Sequence, residues 1–431
     1  MGNRIHKKTE IRGGRVIDPA NNIDRITSLF FADGLIVAVG EAPDGFEAEE
    51  IIDATGQIVC PGLVDLQARM REPGHEYIAT IASETQAATK GGITCLLSPP
   101  DTDPIIDNVA SAELIINRAK KADLARFLPT GALTKKLKGE YISEMASLRE
   151  AGCVAMSNAD QPVMNTLTMK RALQYAATHK IPVIIRPVDT YLSEGGCAHE
   201  GEVADRLGLN GIPDAAETIA LARDLMLVEE TGVQAHFSQL SCAHSVAMIA
   251  DAQKRGLNVT ADVTAHHLHL NEFDTADFNS NMHVLPPLRT QRDQEALITG
   301  LKMGTISAVV SDHRPWEEDD KLVPFPEAKP GISGVETLLP MVLKLVDGAL
   351  FTMNDAIACL TAKPASIFNL PNGTLSVGKK ADICIFNPDE YWDITPDNLI
   401  SLGKNSPFLG WNVKGCVTMT LKSGQKVYQA Q

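Results

Sequence analysis

Residues 58–74 read IVCPGLVDLQARMREPG, an apolar run through Leu66 that breaks into Gln67, Arg69, Arg71 and Glu72. A short apolar run interrupted by Pro and Gly has the pattern of a buried strand. The pattern returns seven times, at 93–98, 126–130, 153–157, 182–186, 233–237, 258–262 and 306–312. Helical patterns lie between these runs. Residues 215–231 place Ile219, Ala222, Leu225 and Val228 on one face, with Gly232 as the stop. Residues 241–255 start at Ser241, a capping residue type, and stop at Gly256; residues 140–151 stop at Gly152. Repeated strand–helix units predict parallel strands joined by right-handed crossovers. Eight of them predict an α/β chain closed into a (β/α)8 barrel, whose function sits at the C-terminal ends of the strands.

Both ends of the chain differ from this middle. Gly13-Gly14 and Asp33-Gly34 punctuate short apolar runs near the start, and Ser423-Gly424 does the same near the end. Two β-rich ends around one domain predict a single small β unit built from both, because chain termini often lie close together.

Composition narrows the class. A chain of 431 residues, 44% of them hydrophobic, can bury a barrel-sized core plus an accessory unit. A net charge of -15 excludes nucleic acid and anionic membrane as expected partners. The eight Cys form no CxxC pair and read as buried, reduced thiols. The polar start, residues 1–15, has no apolar core of a signal peptide, and no run reaches membrane-spanning length. A soluble, cytoplasmic protein is expected.

Polar residues gather where the strands end. The first run ends at Gln67, Arg69 and Arg71, the fourth at Ser157-Asn158-Ala159-Asp160, and the fifth at Arg186. The sixth carries His236 and Gln239, the seventh leads to His266-His267, and the eighth ends at Asp312-His313-Arg314. This set is rich in cations, and its most obvious carboxylate is Asp312. Metal ligands must offer a lone pair, and a guanidinium has none. The residues alone predict an anion-friendly cleft more than a metal site. The dense histidines His266, His267 and His269 read as structural, and the acidic run 317–320 as a solvated loop.

Several blocks resemble the dihydroorotase branch of the amidohydrolase superfamily. They are Pro61-Gly62-Leu63-Val64-Asp65, Arg71-Glu72-Pro73-Gly74, Gly211-Ile212-Pro213, Ala222-Arg223-Asp224, His266-His267-Leu268, Pro286-Pro287-Leu288-Arg289, Asp312-His313 and the tail around Gly373-Thr374-Leu375. The resemblance implies a metal-dependent-hydrolase barrel over 58–370, with a β-sandwich composed of 1–57 and 371–431. It also implies zinc chemistry in pyrimidine biosynthesis, in which the metal polarises a cyclic amide and activates water. The ligand positions depart from that pattern. The first His-x-His pair reads Gln67 and Arg69, a bridging carboxylate position reads Asn158, and the fifth-strand His reads Arg186. Asp160 falls where the family has Gly and is not expected to be a ligand. The sixth-strand pair reads His236 and Gln239, which leaves His236 and Asp312 as retained ligand types.

Substrate positions have drifted as well. Arg71 and His313 are kept, whereas Asp101 and Leu285 stand where the family has Asn. The resemblance therefore implies a degenerate site with no bound metal, no other cofactor and no turnover, in which Asp312 and His313 are catalytic remnants. Arg69 or Arg186 is expected to pair bidentately with Asp312 in the metal's place. The implied role is that of inactive dihydroorotase-like subunits, which hold the catalytic chains of aspartate carbamoyltransferase in an active oligomer, with self-association also expected. Two alternatives stand beside it. One is a working cyclic amidohydrolase with an altered zinc site built on Asp312 and His313, and the other is an anion sensor using Arg71.

Overall fold

The computed structural model describes residues 7–430. The first six residues of the expected polar N-terminus lie outside the described residues. Eight strands form the barrel: β1 (Leu63–Asp65), β2 (Ile93–Ser98), β3 (Arg126–Pro129), β4 (Met156–Ser157), β5 (Val183–Ile185), β6 (Ala235–Phe237), β7 (Val259–Thr264) and β8 (Ala308–Val310). Their pairing is parallel, with β1 on β2, β2 on β3, and β4 through β8 in order. Gly131–Ala132, just past β3, carries the ladder to β4. The barrel closes beyond the strand ends, where Ala68 bridges to His313 and the Arg69 N–H donates to the His313 carbonyl at 2.8 Å. Apart from β3, whose residues alternate between half-buried and buried, these strands are buried throughout or nearly so, which is why they read as continuous apolar runs.

The single strand expected over 58–66 is two strands. Ile58–Pro61 belongs to the terminal unit, antiparallel to Ile383–Asp393 and parallel to Arg15–Asp18. The chain crosses to the barrel at Gly62, where any Cβ would run into the Thr94 side chain. The terminal unit has a four-stranded sheet (Leu35–Gly40, Ser28–Ala32, Thr9–Arg12, Glu50–Asp53) and a six-stranded one with strands from both chain ends. Its core mixes the ends directly: Ile11, Val16, Leu29 and Phe31 pack with Ile383, Ile385 and Leu421.

Two helix details also differ. Ala215–Thr231 ends at left-handed Gly232 as expected, but Ile219 and Ala222 face outward, and Ala220, Leu221, Leu225 and Val228 face in. The helix expected to start at Ser241 runs Ala243–Lys254. The Ser241 hydroxyl is instead held by the buried carboxylate of Glu217. All eight cysteines are unpaired, and seven are buried. Among the described residues no helix is long and apolar enough to cross a membrane.

Candidate functional site

The chain turns sharply as it leaves the barrel strands. Arg71, Ala159, Gln239 and Asp312 all have positive φ, at 61°, 50°, 58° and 45°. A Cβ makes that region unfavourable, so four such residues around one barrel mouth mark a strained, specified arrangement.

Arg69 lies at its centre. The guanidinium, 4% exposed, donates to Asp101 through Nε (2.8 Å), to Asp160 through Nη2 (3.0 Å) and to Asp312 through Nη1 (3.3 Å). Asp160 accepts from two more cations, Arg186 Nη1 at 2.6 Å and Arg314 Nη2 at 2.5 Å. Three carboxylates thus face three guanidiniums, and every carboxylate shares Arg69. Burial alone would raise the Asp160 pKa, but Arg314, Arg69 and Arg186 outweigh it and hold the carboxyl well below its usual range. Asp312 is raised by burial, which Arg314 and Arg69 only partly oppose.

The expected charge replacement is realised in a different form. Arg69 does reach Asp312, but with one nitrogen rather than two, and Arg186 pairs with Asp160 instead. Asp160, set aside as a ligand from its position, is the hub of the cluster. A carboxylate just beyond a strand end, with three arginines at neighbouring ends, was the available signal. Asp101, expected as a repulsive substitution at a substrate position, is neutralised by Arg69.

Arg71 sits beside this cluster. Its Nε donates to the Pro315 carbonyl at 2.8 Å, its Cζ lies over the Trp316 ring at 3.8 Å from the ring centre, and its Nη2 is buried without a partner. Burial, helped by Arg314 and Arg69, pushes its pKa down to about 9.

Other residues from the expected site have structural work. Asn158 accepts from the Thr134 hydroxyl at 2.7 Å and donates to the Leu137 carbonyl at 2.9 Å, which ties it to the loop after β3. Gln67 is buried, with its N–H on Asp65 at 3.3 Å. His236 bonds Thr260 and Asp262, each at 2.8 Å, inside the β6–β7 wall. His313 is not a free remnant. Its Nδ1 accepts from the Gly334 N–H at 3.1 Å, so its Nε2 donates to Glu84 at 2.9 Å, and the ring is fully buried. Leu285, half-buried, offers no hydrogen-bonding group. The partners Glu84 and Asp262 lie outside every motif and were missed.

The donor set does not fit zinc. Among the described residues no group of three His, Cys, Asp or Glu side chains is placed to hold a metal ion. Asp101, Asp160 and Asp312 are already bound to one guanidinium, and although desolvation by burial lowers the Arg69 pKa, their charges outweigh it and hold it above its ordinary value. A metal would have to displace a permanent cation held by three ion pairs.

Comparison with known proteins gives a consistent picture. A family model described as dihydro-orotase-like matches residues 56–245, and an amidohydrolase family model matches 345–428. The chain is 46% identical to the "Dihydroorotase-like protein" of Pseudomonas aeruginosa, over 97% of this chain and 99% of that one. It is 43% identical to the "Dihydroorotase" of Syntrophus aciditrophicus, over 98% and 99% respectively. In three dimensions it is similar to the L-hydantoinase of Arthrobacter aurescens, with a TM-score of 0.88 at 23% identity over 98% of this chain and 96% of that one. This last likeness speaks for the fold, a hydrolase barrel with an attached β-sandwich.

Proposed function

The chain belongs to the dihydroorotase-like family of amidohydrolases, and we propose that it is a degenerate member whose work is to hold a partner enzyme together. The observation that carries the reading is Arg69, bonded to Asp101, Asp160 and Asp312 at once. Hydrolysis of a cyclic amide needs a polarised carbonyl, an activated water and a base near its proton. In this mouth a guanidinium fills the centre, and the carboxylate that could serve as base, Asp312, is ion-paired. An altered zinc enzyme using Asp312 and His313 would need a free imidazole, and both nitrogens of His313 are engaged. The partner we propose is the catalytic chain of aspartate carbamoyltransferase, in keeping with a place in pyrimidine biosynthesis.

The test measures zinc content after expression in excess zinc, dihydroorotate hydrolysis on the same sample, and co-purification with the carbamoyltransferase. The expected result is less than about a tenth of an equivalent of zinc, no turnover, and a stable complex; removing one ligand or its support already lowers metal affinity about 10–100-fold. Stoichiometric zinc with turnover would overturn the reading.

A further inference from the structure

We propose that the rim formed by the loops after β7 and β8 is the docking face for the partner, and that it fits a protein surface with an apolar centre and a basic border. This rests on the reading above. The two loops are fastened to each other: the Ser280 hydroxyl donates to the Lys321 carbonyl at 2.6 Å, and Lys321 Nζ donates back to the Ser280 carbonyl at 3.1 Å. Beneath them His283 stacks on Phe325, ring centres 5.2 Å apart, and accepts the Gly331 N–H through its carbonyl. The rim is therefore preformed, which lowers the entropy that binding must overcome.

Its outer side is apolar where water would favour polar groups. Phe273 is 59% exposed, Phe278 47%, Leu322 71% and Val323 37%. Phe278 also has a φ of 57°, unfavourable for a bulky residue. Around these anchors lie acids. Segments 271–285 and 316–330 hold eight Asp and Glu against two Lys, and one of those, Lys321, is buried. That charge decides the occupant. A second copy of this chain meeting the same face would set acid against acid in an isologous contact, which disfavours self-pairing. A partner bordered by Lys and Arg is favoured instead, with aromatic and aliphatic anchors at its centre. The rim borders the barrel mouth on the side of β7 and β8. An enzyme must leave its mouth open to substrate, but a mouth already filled by Arg69 and Asp160 can be covered.

The experiment titrates full-length chain against the purified carbamoyltransferase catalytic chain at low and high salt, following Kd by calorimetry and the oligomer by light scattering. Phe278→Ser with Leu322→Ser should weaken binding at least about tenfold. Glu318→Lys with Asp319→Lys should weaken it comparably and flatten its salt dependence. Met303→Ser, at the far end of the barrel and 76% exposed, should change nothing. Melting temperatures within about 2 °C of wild type would establish that the variants fold. If wild type binds and both rim variants bind within twofold of it, the rim proposal falls and the functional reading stands. If Met303→Ser weakens binding as much, or the rim variants abolish self-association instead, the rim proposal falls as well. If wild type does not bind, both fall.

Discussion

The two halves of the barrel mouth satisfy their buried polar groups in different ways. Beyond β1, β2, β4, β5 and β8 the charged groups are mostly paired: Arg69, Arg186 and Arg314 face Asp101, Asp160 and Asp312, while Arg71 has no carboxylate among the described residues and is met only by the Pro315 carbonyl and the Trp316 ring. On β6 and β7 the one carboxylate, Asp262, is bonded to His236, and several of the neutral polar groups beside it lack partners. Both ends of the Gln239 amide and both nitrogens of His266 are buried without a hydrogen bond, each residue 1% exposed. The difference follows from the energies. A buried charge left alone costs several kcal/mol and must be answered. A buried neutral group without a partner costs about 1–3 kcal/mol, which a chain of this size can carry.

The largest effect should come from Arg69. Replacing it with Ala leaves three carboxylates around a hole, and breaking a buried pair typically costs about 3–5 kcal/mol. Since Arg69→Ala could simply fail to fold, Arg69→Ala with Asp312→Asn is the informative companion. Neutralising the deepest carboxylate should restore part of the loss, seen as a higher urea midpoint than the single variant. A loss below about 1 kcal/mol for the single variant would mean the charged half is no better satisfied than the neutral half. Asp160→Asn should cost less, about 2 kcal/mol, because its side chain is 22% exposed and water can take over part of its role. Its folded pKa lies well below that of the unfolded chain. The stability it contributes is therefore present above pH about 4 and lost only as pH falls through the lower folded value. The gap between wild type and Asp160→Asn should stay constant from pH 7.5 to pH 5, and a gap that closes in that window would contradict the assigned ion pairs.

The same division explains what could be read in the sequence. All eight barrel strands were legible, because strands buried on both faces leave continuous apolar runs with no competing signal. The two-ended sheet was legible as a pairing of the ends, but its claim on Ile58–Pro61 was not, since a buried strand of either sheet has the same apolar pattern. At the mouth, the strand ends pointed to Gln67, Arg69, Asn158, Arg186 and Asp312 as neighbours, and the cations, read as an anion-friendly cleft, are met instead by the chain's own Asp101, Asp160 and Asp312. Which anion served which cation depended on side-chain reach. Asp160 became the hub because the left-handed turn at Ala159 brings it round to face three arginines. His313 and His236, expected from the resemblance as remnants of the site, point to Glu84 and Asp262, partners distant in sequence. Residue type is read along the chain; side-chain direction is set by packing that only the fold displays.

The smallest effects belong to the neutral half, and pH separates its two members. Gln239→Met removes an amide with no partners and should stabilise the protein by about 1 kcal/mol at pH 7.5. His266→Leu should do the same there, by the same argument. Burial, with a smaller push from His267, holds the His266 pKa well below its ordinary value, so the folded protein keeps it neutral. The unfolded chain takes up a proton on that ring below pH about 6.5, whereas the folded chain does not. Wild type therefore loses stability through His266 as pH falls below that point, by up to about 1.4 kcal/mol per unit, and His266→Leu does not. The advantage of His266→Leu over wild type should widen from pH 6.5 to pH 5, while that of Gln239→Met stays level. If both stay level, His266 has found a partner or water in solution, and the neutral half is better satisfied than its geometry indicates. If both destabilise at every pH, the unpartnered groups are held for a ligand, and the two halves differ in purpose rather than in energy.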